Sequence, residues 1–579
     1  MKKNKEMNTQ SIYTEKNNCQ DCYKCVRRCP VKAIKIEDHS ASIIPELCIN
    51  CGYCTIICPA GAKKIRDDVG LVRHFIQNGE RVVAALAPAW VSEFIGVSAS
   101  GLISTLKQLG FSEVAEVALG AEMVSGAVAE YLQKQKTGLH ISSCCPSVVS
   151  LIGKYYPEHL DKLVPIMSPM LAHARFLKEN YGENIKVVFI GPCIAKKDEV
   201  EEMGGFVDAA ITFSELETWM EKEGVEVLQY ESTDQAFFPA PAGSGVLYPV
   251  DGGMINSLKK NVSAVDLQFM AFSGRNRVKD ILNNIEGLDQ GQLCFLELLS
   301  CSGGCVNGPG CTEKNSIAHK RAEVIRCFGN GNEKKAIGNG CTDLACDYNG
   351  YHPAPATHHP EEEIIDALKT IGKFNSKDYL NCSGCGYENC RDFAIALMES
   401  KAERSMCVSY MRRVAQNKAS VLLQKMPYGV VMCDEHLHII ESNHNFASLL
   451  GKDTLQLFDD VPGLEGADLK SLFDGHKLFR NVLDMGLENF EKDIRINGKL
   501  CHLSIFSIQK HKILCGVLQN LHSPEVRNEE VVKRSREVIR ENLETVQKVA
   551  FLLGETAAKT ETMLNSIIQT HANTESEDV

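Results

Sequence analysis

The sequence lacks any run of about 18 apolar residues, so it offers no candidate for a membrane-spanning helix. It also lacks a signal peptide: MKKNKEMNTQ carries lysines with no apolar stretch behind them. Positive charge is not in surplus. Asp and Glu number 74 against 62 Lys and Arg, a formal net charge of −12. Phosphate binding needs clustered cations, so nucleic acid is not expected as a partner. Together these absences point to a cytoplasmic protein with no membrane contact. In that compartment thiols stay reduced, and disulfides cannot account for what the chain has in abundance, 25 cysteines.

Metal binding is the default reading of so many cysteines, and their distribution supports it. Eight lie between positions 19 and 58, and only three lie after 407. Hydrophobic residues at 44% and charged residues at 23% leave room for packed cores elsewhere. Cys19, Cys22 and Cys25 are followed by Cys29-Pro30, and the spacing recurs at Cys48, Cys51, Cys54 and Cys58-Pro59. This is the two-cluster bacterial ferredoxin pattern, in which the fourth Cys of each run ligates the other cluster. Cys19, Cys22, Cys25 and Cys58 are assigned to one 4Fe-4S cluster, and Cys48, Cys51, Cys54 and Cys29 to the second. Zinc also takes CxxC pairs; duplication and the Cys-Pro endings favour iron.

Residues 67–345 mix apolar strand-like runs (RVVAALAPA, KVVFIGPC, GQLCFLELLSC) with helix-like stretches such as GLISTLKQLG and FSELETWMEKEG, the alternation of an α/β domain. Three stretches there carry chemistry: SSCCPSVVS at 142–150, GPCIAKKDE at 191–199 and FLELLSCSGGCVNGPG at 295–310. In order and chemistry they resemble the three signatures of the FeFe hydrogenase catalytic domain, over about residues 80–330. The resemblance implies that Cys145, Cys193, Cys301 and Cys305 hold a 4Fe-4S cubane. Cys305 also bridges to a two-iron unit with carbon monoxide, cyanide and dithiolate ligands, the whole forming the H-cluster. Lys196 matches the lysine that binds one cyanide, and Ala87, Pro88 and Ala89 match the stretch lining the other. Cys144 matches the proton-passing thiol, and Glu199 is a candidate member of the relay. The activity implied is heterolytic splitting of H2 into protons and electrons.

Several positions depart from the catalytic pattern. Leu299 replaces a methionine, Ala89 replaces a serine, and Ala127 and Val128 stand where glutamates of the proton path are common. Pro309 interrupts a stretch that is often all glycine. These changes remove hydrogen bonds and proton carriers, and slow turnover is expected. Cys294, Cys311, Cys327, Cys433, Cys501 and Cys515 are read as small core residues, and Cys341 and Cys346 fall in a long loop between Gly329 and Pro360.

A probable helix in EEEIIDALKTIG precedes a second cysteine group, Cys382, Cys385, Cys390 and Cys407, which resembles a small 4Fe-4S domain of redox proteins. Its fourth Cys is expected at the far end of a helix running through RDFAIALMESKAERSMC. By chain order this cluster lies beyond the hydrogen domain, off the electron path through residues 19–58. Residues 421–450 resemble the opening of a PAS domain: strand, turn, strand, Asn, helix. His436, His438 and His444 there are read as exposed or structural. The tail carries Val532, Ile539, Leu543, Val546, Ala550, Leu553 and Ala557 at helical spacing.

The expected fold is multidomain α+β and α/β. It comprises a two-cluster ferredoxin domain (1–66), an H-cluster domain (67–345), a small helical 4Fe-4S domain (346–412), a PAS domain (413–521) and a helical signalling or dimerisation tail (522–579). The expected cofactors are three 4Fe-4S clusters plus the H-cluster. The expected partners are H2 and protons, ferredoxin or another redox protein, hydrogenase maturation proteins, a signalling kinase or phosphatase, and a second copy of the chain. With no nicotinamide or flavin domain in view, a hydrogen or redox sensor is favoured over a ferredoxin-linked metabolic hydrogenase and over an iron–sulfur scaffold without the two-iron unit.

Overall fold

The computed structural model describes residues 10–227, 235–260, 267–288, 291–330, 343–355, 357–521, 538–540 and 542. Apart from residues 538–540 and 542, the tail expected over 522–579 lies outside them, as does Cys341. The chain divides into two compact units, Met1–Met406 and Cys407–Val579.

The first unit opens with a cysteine-rich module. Strand β1 (Ile12–Thr14) pairs antiparallel with β4 (Lys63–Ile65), and β2 (Ile34–Glu37) pairs antiparallel with β3 (Ser40–Ile43). The internal repeat of the sequence returns in the backbone. Short helices Lys24–Arg28 and Tyr53–Ile57 each start from a left-handed residue, Tyr23 at φ 58° and Gly52 at φ 69°. At Gly52 a side chain would run into Pro309 and Ile194. The proline that breaks the glycine stretch is therefore a packing contact for this module.

Seven parallel strands follow: β5 (Val82–Leu86), β6 (Glu113–Glu116), β7 (Gly138–Ile141), β8 (Lys186–Gly191), β9 (Ala209–Thr212), β10 (Leu267–Ser273) and β11 (Leu293–Leu299). They form two sheets, in the orders β6-β5-β8-β9 and β10-β11-β7. Every residue of β5 and of β11 is buried, which is why these runs read as continuous apolar segments rather than as alternating ones. The helix expected in FSELETWMEKEG spans Phe213–Glu223. It is started by a reciprocal Thr212–Glu215 cap and stopped by left-handed Gly224.

One expectation fails in the second cysteine group. The helix there ends at Met398 rather than running on to Cys407. Ser400 turns left-handed, and the Lys401 and Ala402 amides bond back to the Ala396 carbonyl, closing the helix. Cys407 instead caps a new helix, Val408–Lys425, which runs straight through the boundary expected at 412.

In the second unit, β12 (Gly429–Cys433), β13 (Ile439–Ser442), β14 (Asn489–Ile496), β15 (Lys499–Gln509) and β16 (Ile513–Asn520) form one antiparallel sheet in the order β13-β12-β16-β15-β14. Buried Asn443 joins its parts. Its Oδ1 accepts from the Val430 and Phe446 amides at 2.8 and 3.0 Å, and its Nδ2 donates to the Leu423 and Tyr428 carbonyls at 2.9 and 2.7 Å. His436, His438 and His444 are exposed.

Candidate functional site

Four loops leave the carboxyl ends of parallel strands and converge. Ala87-Pro88-Ala89 follows β5, Ser142 to Cys145 follows β7, Pro192-Cys193 follows β8, and Ser300 to Cys305 follows β11. The crevice beyond such strand ends is where open α/β sheets bind ligands. Cys145 caps helix Pro146–Tyr155, whose first residue is a proline with no amide proton to satisfy. Gly303 and Gly304 adopt φ of 80° and 100°, where L side chains are strained. A Cβ at Gly304 would also strike the Pro249 carbonyl. Only glycine lets the chain turn between Cys301 and Cys305 here.

The loops enclose a cavity of ≈ 100 Å³. Its wall includes Ala87, Pro88, Ala89, Cys144, Cys145, Cys193, Lys196, Tyr248, Glu297, Leu299 and Cys305, and is largely apolar. Cys301 stands with Cys145, Cys193 and Cys305 as mutual electrostatic neighbours. Burial raises all four thiols, Cys193 to about 12, and neighbouring thiols add to the shift at Cys193, Cys301 and Cys305. Each keeps some accessible surface although protein surrounds it; for Cys145, Cys193 and Cys305 the cavity accounts for that surface. No three such side chains among the described residues converge on a single-ion site. A cubane is wider than one ion, and its ligands meet its corners rather than a point.

Lys196 is a buried cation. Burial opposes its charge, but Glu199 and the Cys193 and Cys144 thiols together raise its pKa. Its Nζ donates to Ser168 Oγ at 2.8 Å and to Glu199 Oε2 at 2.5 Å. Glu199 is thus the partner of Lys196 and is not among the residues lining the cavity. Cys144 lies with its sulfur 3.6 Å from Met254 Sδ, and burial raises its thiol strongly. Glu297, which the sequence reading passed over, is 2% exposed. Burial lifts it to about 7 against the lowering effect of amides such as that of Ile255, which donates to Oε2 at 3.1 Å. A lone acid in the apolar run FLELL was the available signal.

Residues 80–309 match the family described as iron-only hydrogenase large subunit, C-terminal domain. Residues 11–59 match a 4Fe-4S dicluster domain, and 379–409 match a putative Fe-S cluster family. The chain is 27% identical over 310 residues to iron hydrogenase 1 of Clostridium pasteurianum, covering 42% of this chain and 54% of that protein. It is 24% identical over 377 residues to the NADP-reducing hydrogenase subunit HndD of Solidesulfovibrio fructosivorans, covering 52% of this chain and 64% of that one. Residues 80–309 of the chain carry the catalytic-domain match to the FeFe hydrogenase family. The match spans about half the length of the first relative and less than two thirds of the second. A solved variant of FeFe-hydrogenase HydA1 from Chlamydomonas reinhardtii aligns at 17% identity over 45% of this chain and 88% of that one, with a TM-score of 0.35.

The residues at this site fit the H-cluster of the FeFe hydrogenase family. Four clustered thiols supply soft ligands. The apolar cavity beside Cys305 has several times the room a water requires. Lys196 offers a cation at its wall for an anionic group. The departures are also visible. Leu299 and Ala89 line the cavity, while Val128 packs into the core and Ala127 packs against it. Apolar packing fills the positions where glutamates of the proton path were in question.

The N-terminal module of the chain brings its cysteines together in two sets. Cys25 has Cys22, Cys19 and Cys58 as neighbours, and Cys54 has Cys51, Cys48 and Cys29. Backbone amides point at several sulfurs, among them Ala33 at Cys29 (3.3 Å) and Ala62 at Cys58 (3.2 Å), as Fe–S thiolates use to set potential. Cys29, Cys48 and Cys51 of the second set pack against the same hydrophobic core as Cys145. Lys154 donates to the Cys48 carbonyl at 2.6 Å, and Tyr155 Oη donates to the Leu47 carbonyl at 2.7 Å. Arg275 acts electrostatically on both Cys51 and Cys301, with its guanidinium 3.7 Å over the Tyr53 ring.

Chain order put the second cysteine group off the 19–58 path; the structure seats part of it there. Lys32 Nζ donates to the Gly386 carbonyl at 2.6 Å and lies 5.3 Å from the Tyr387 ring, and Tyr387 feels both Cys385 and Cys29. Cys382 is exposed, Cys385 half-buried and Cys390 buried. Cys407 is buried in the second unit. Cys294, Cys433, Cys501 and Cys515 are buried, whereas Cys311, Cys327 and Cys346 are half-buried. No helix among the described residues is long and apolar enough to cross a membrane.

Proposed function

We propose that this chain reacts with hydrogen and serves as a hydrogen or redox sensor that signals through its second unit. The observation carrying the hydrogen chemistry is the apolar cavity walled by Cys305, Lys196 and Ala87–Ala89. A scaffold holding only a cubane would leave that space without an occupant. Cys145, Cys193, Cys301 and Cys305 would hold the cubane, and Cys305 would join it to the two-iron unit in the cavity. When bound, that unit supplies heterolytic cleavage and formation of H2. The protein's part is to exclude water with Ala87, Pro88, Ala89 and Leu299, to present the cation of Lys196, and to carry protons through Cys144. Glu199 holds Lys196 in place.

Cys19, Cys22, Cys25 and Cys58 hold one further cluster, and Cys48, Cys51, Cys54 and Cys29 another. Cys382, Cys385, Cys390 and Cys407, all inside the Fe–S match over 379–409, hold a third. Arg275 and Tyr53 stand where the cluster of Cys48, Cys51, Cys54 and Cys29 would exchange electrons with the H-cluster. The seat of Gly386 on Arg27 and Lys32 supports reading the third cluster as a branch from the ferredoxin module.

The sensory reading draws on the lost carboxylates and on the second unit. The five-stranded antiparallel sheet and the Asn443 junction support reading residues 413–521 as a PAS domain, with a tail over 522–579 for a kinase, phosphatase or second copy. A cytoplasmic, anaerobic setting with separate maturation proteins completes it. The ferredoxin-like module favours one second reading, a ferredoxin-linked metabolic hydrogenase. Hydrogen evolution from a reduced dye separates the two. A sensor turns over slowly; rates equal to those of fast metabolic hydrogenases would leave the second reading standing.

A further inference from the structure

Four hydroxyl groups form a continuous line that the chemistry described so far leaves unused. Tyr248 lines the cavity together with Cys144. Its Oη lies 2.8 Å from Ser125 Oγ. Ser125 Oγ donates to Ser257 Oγ at 2.9 Å, and Ser257 Oγ lies 3.0 Å from Ser244 Oγ. Ser125 and Ser257 are fully buried, and Ser244 is half-exposed. The line therefore begins at the cavity wall and ends towards solvent. Every link has hydrogen-bond length, and every hydroxyl has one proton to give and lone pairs to receive another.

The elements carrying these groups are held tightly. Helix Ala118–Gln133 supplies Ser125, and helix Gly253–Leu258 supplies Ser257. A Cβ at Gly245 would run into the Ala118 carbonyl, and one at Gly253 into the Leu247 carbonyl, so backbone meets backbone on both sides of Tyr248. Glu122 Oε1 accepts from the Gly243 and Gly245 amides at 2.6 and 3.2 Å, fixing the turn that presents Ser244. The helix that offers Ser125 is the one on which Ala127 and Val128 stand in place of carboxylates.

We propose that Tyr248, Ser125, Ser257 and Ser244 form a proton-conducting hydroxyl chain between the cavity beside Cys144 and solvent. The proposal rests on the hydrogen-reacting reading of the cavity. An outgoing proton binds Tyr248 Oη as that oxygen releases its own to Ser125. Ser125 passes one to Ser257, Ser257 to Ser244, and Ser244 to water. Only O–H bonds form and break, one proton crosses, and no electron moves. Burial keeps the Tyr248 phenol far above its ordinary pKa, with Cys144 adding to the shift, so the group relays as a neutral hydroxyl. The hydroxyls must turn back before the next proton passes, which suits a slow enzyme.

The test uses the full chain carrying its Fe–S clusters, expressed without maturation proteins, so that no hydrogen turnover is involved. After transfer to D2O the S–H stretch of Cys144, assigned by difference from Cys144→Ala, is followed by infrared spectroscopy. Tyr248→Phe and Ser125→Ala should each slow this exchange about 10²-fold or more, the scale of a positioned proton-transfer group. Tyr156→Phe, which removes a hydroxyl bonded to Asn283 instead, should exchange as the wild type does. In matured protein Tyr248→Phe should keep its carbonyl and cyanide bands while hydrogen evolution falls and its solvent isotope effect changes. Unaltered exchange in both chain variants overturns the proposal. Missing carbonyl and cyanide bands in matured wild type would strike the hydrogen-reacting reading itself, which the thiol exchange does not depend on.

Discussion

Replacing Lys196 by methionine keeps most of the side-chain volume and removes only the cation. The structure leaves the partner in a poor position to adapt. The Lys196 and Glu199 side chains are 9% and 11% exposed, at 2.5 Å from one another. Breaking a buried pair by removing one member costs about 3–5 kcal/mol, because the other charge stays buried without compensation. For a cooperative unit about the size of the 80–309 stretch, about 2 °C of Tm accompanies each kcal/mol, so Lys196→Met should lower Tm by roughly 6–10 °C. The double variant Lys196→Met/Glu199→Gln buries no charge and should recover most of that loss. Neither variant should show wild-type cyanide bands after maturation, since the cation at the cavity wall is gone from both. Thermal unfolding of the anaerobic, cubane-loaded proteins provides the first readout and infrared spectroscopy the second. A double variant as unstable as the single one would refute the buried-charge argument and leave lost packing as the cause.

Two further outcomes follow from single contacts. Gly386→Ala would place a Cβ 2.5 Å from Arg27 Cα at φ 91°, so the Fe–S module should detach from the ferredoxin module; faster proteolysis near residue 386 checks this, and an unchanged digestion pattern contradicts it. Folding raises the Glu297 carboxyl from 4.5 to about 7, so the folded chain holds its proton across that window. Stability from this group is full below pH 4.5 and falls as pH rises towards 7, by roughly 3 kcal/mol at about 1.36 kcal/mol per pH unit. Glu297→Gln should flatten that slope in thermal unfolding between pH 5 and 8, and an identical slope in both proteins would exclude Glu297 as its source.

Much of the site was legible because its information is local. Spacing alone separates the two cysteine runs of the N-terminal module, and the buried strands before Pro88, Cys193 and Cys301 announce themselves as apolar runs. The parts that were not legible depend on contacts between distant segments. Nothing near Gly386 signals that Arg27 and Lys32 receive it. Tyr248, Ser125, Ser257 and Ser244 come from three elements, and each alone reads as an ordinary core or turn residue. The early end of the helix at Met398 turns on one left-handed serine, a conformation that propensity does not favour and tertiary packing selects. Glu199 was read towards proton transfer from its place in KKDE, whereas its hydrogen bond makes it the companion of Lys196.

The central claim is that Cys305 joins a cubane to a two-iron unit inside the apolar cavity. Infrared spectroscopy of the anaerobically matured full chain, beside Cys305→Ala prepared identically, tests it most directly, with iron measured on the same samples. Sixteen cysteines at four per cubane predict about sixteen irons before maturation and two more after it. Wild type should show carbonyl and cyanide bands, and Cys305→Ala should show none. Bands of equal strength in Cys305→Ala, or a matured wild type with none and about eight irons beside stoichiometric zinc, would contradict the account.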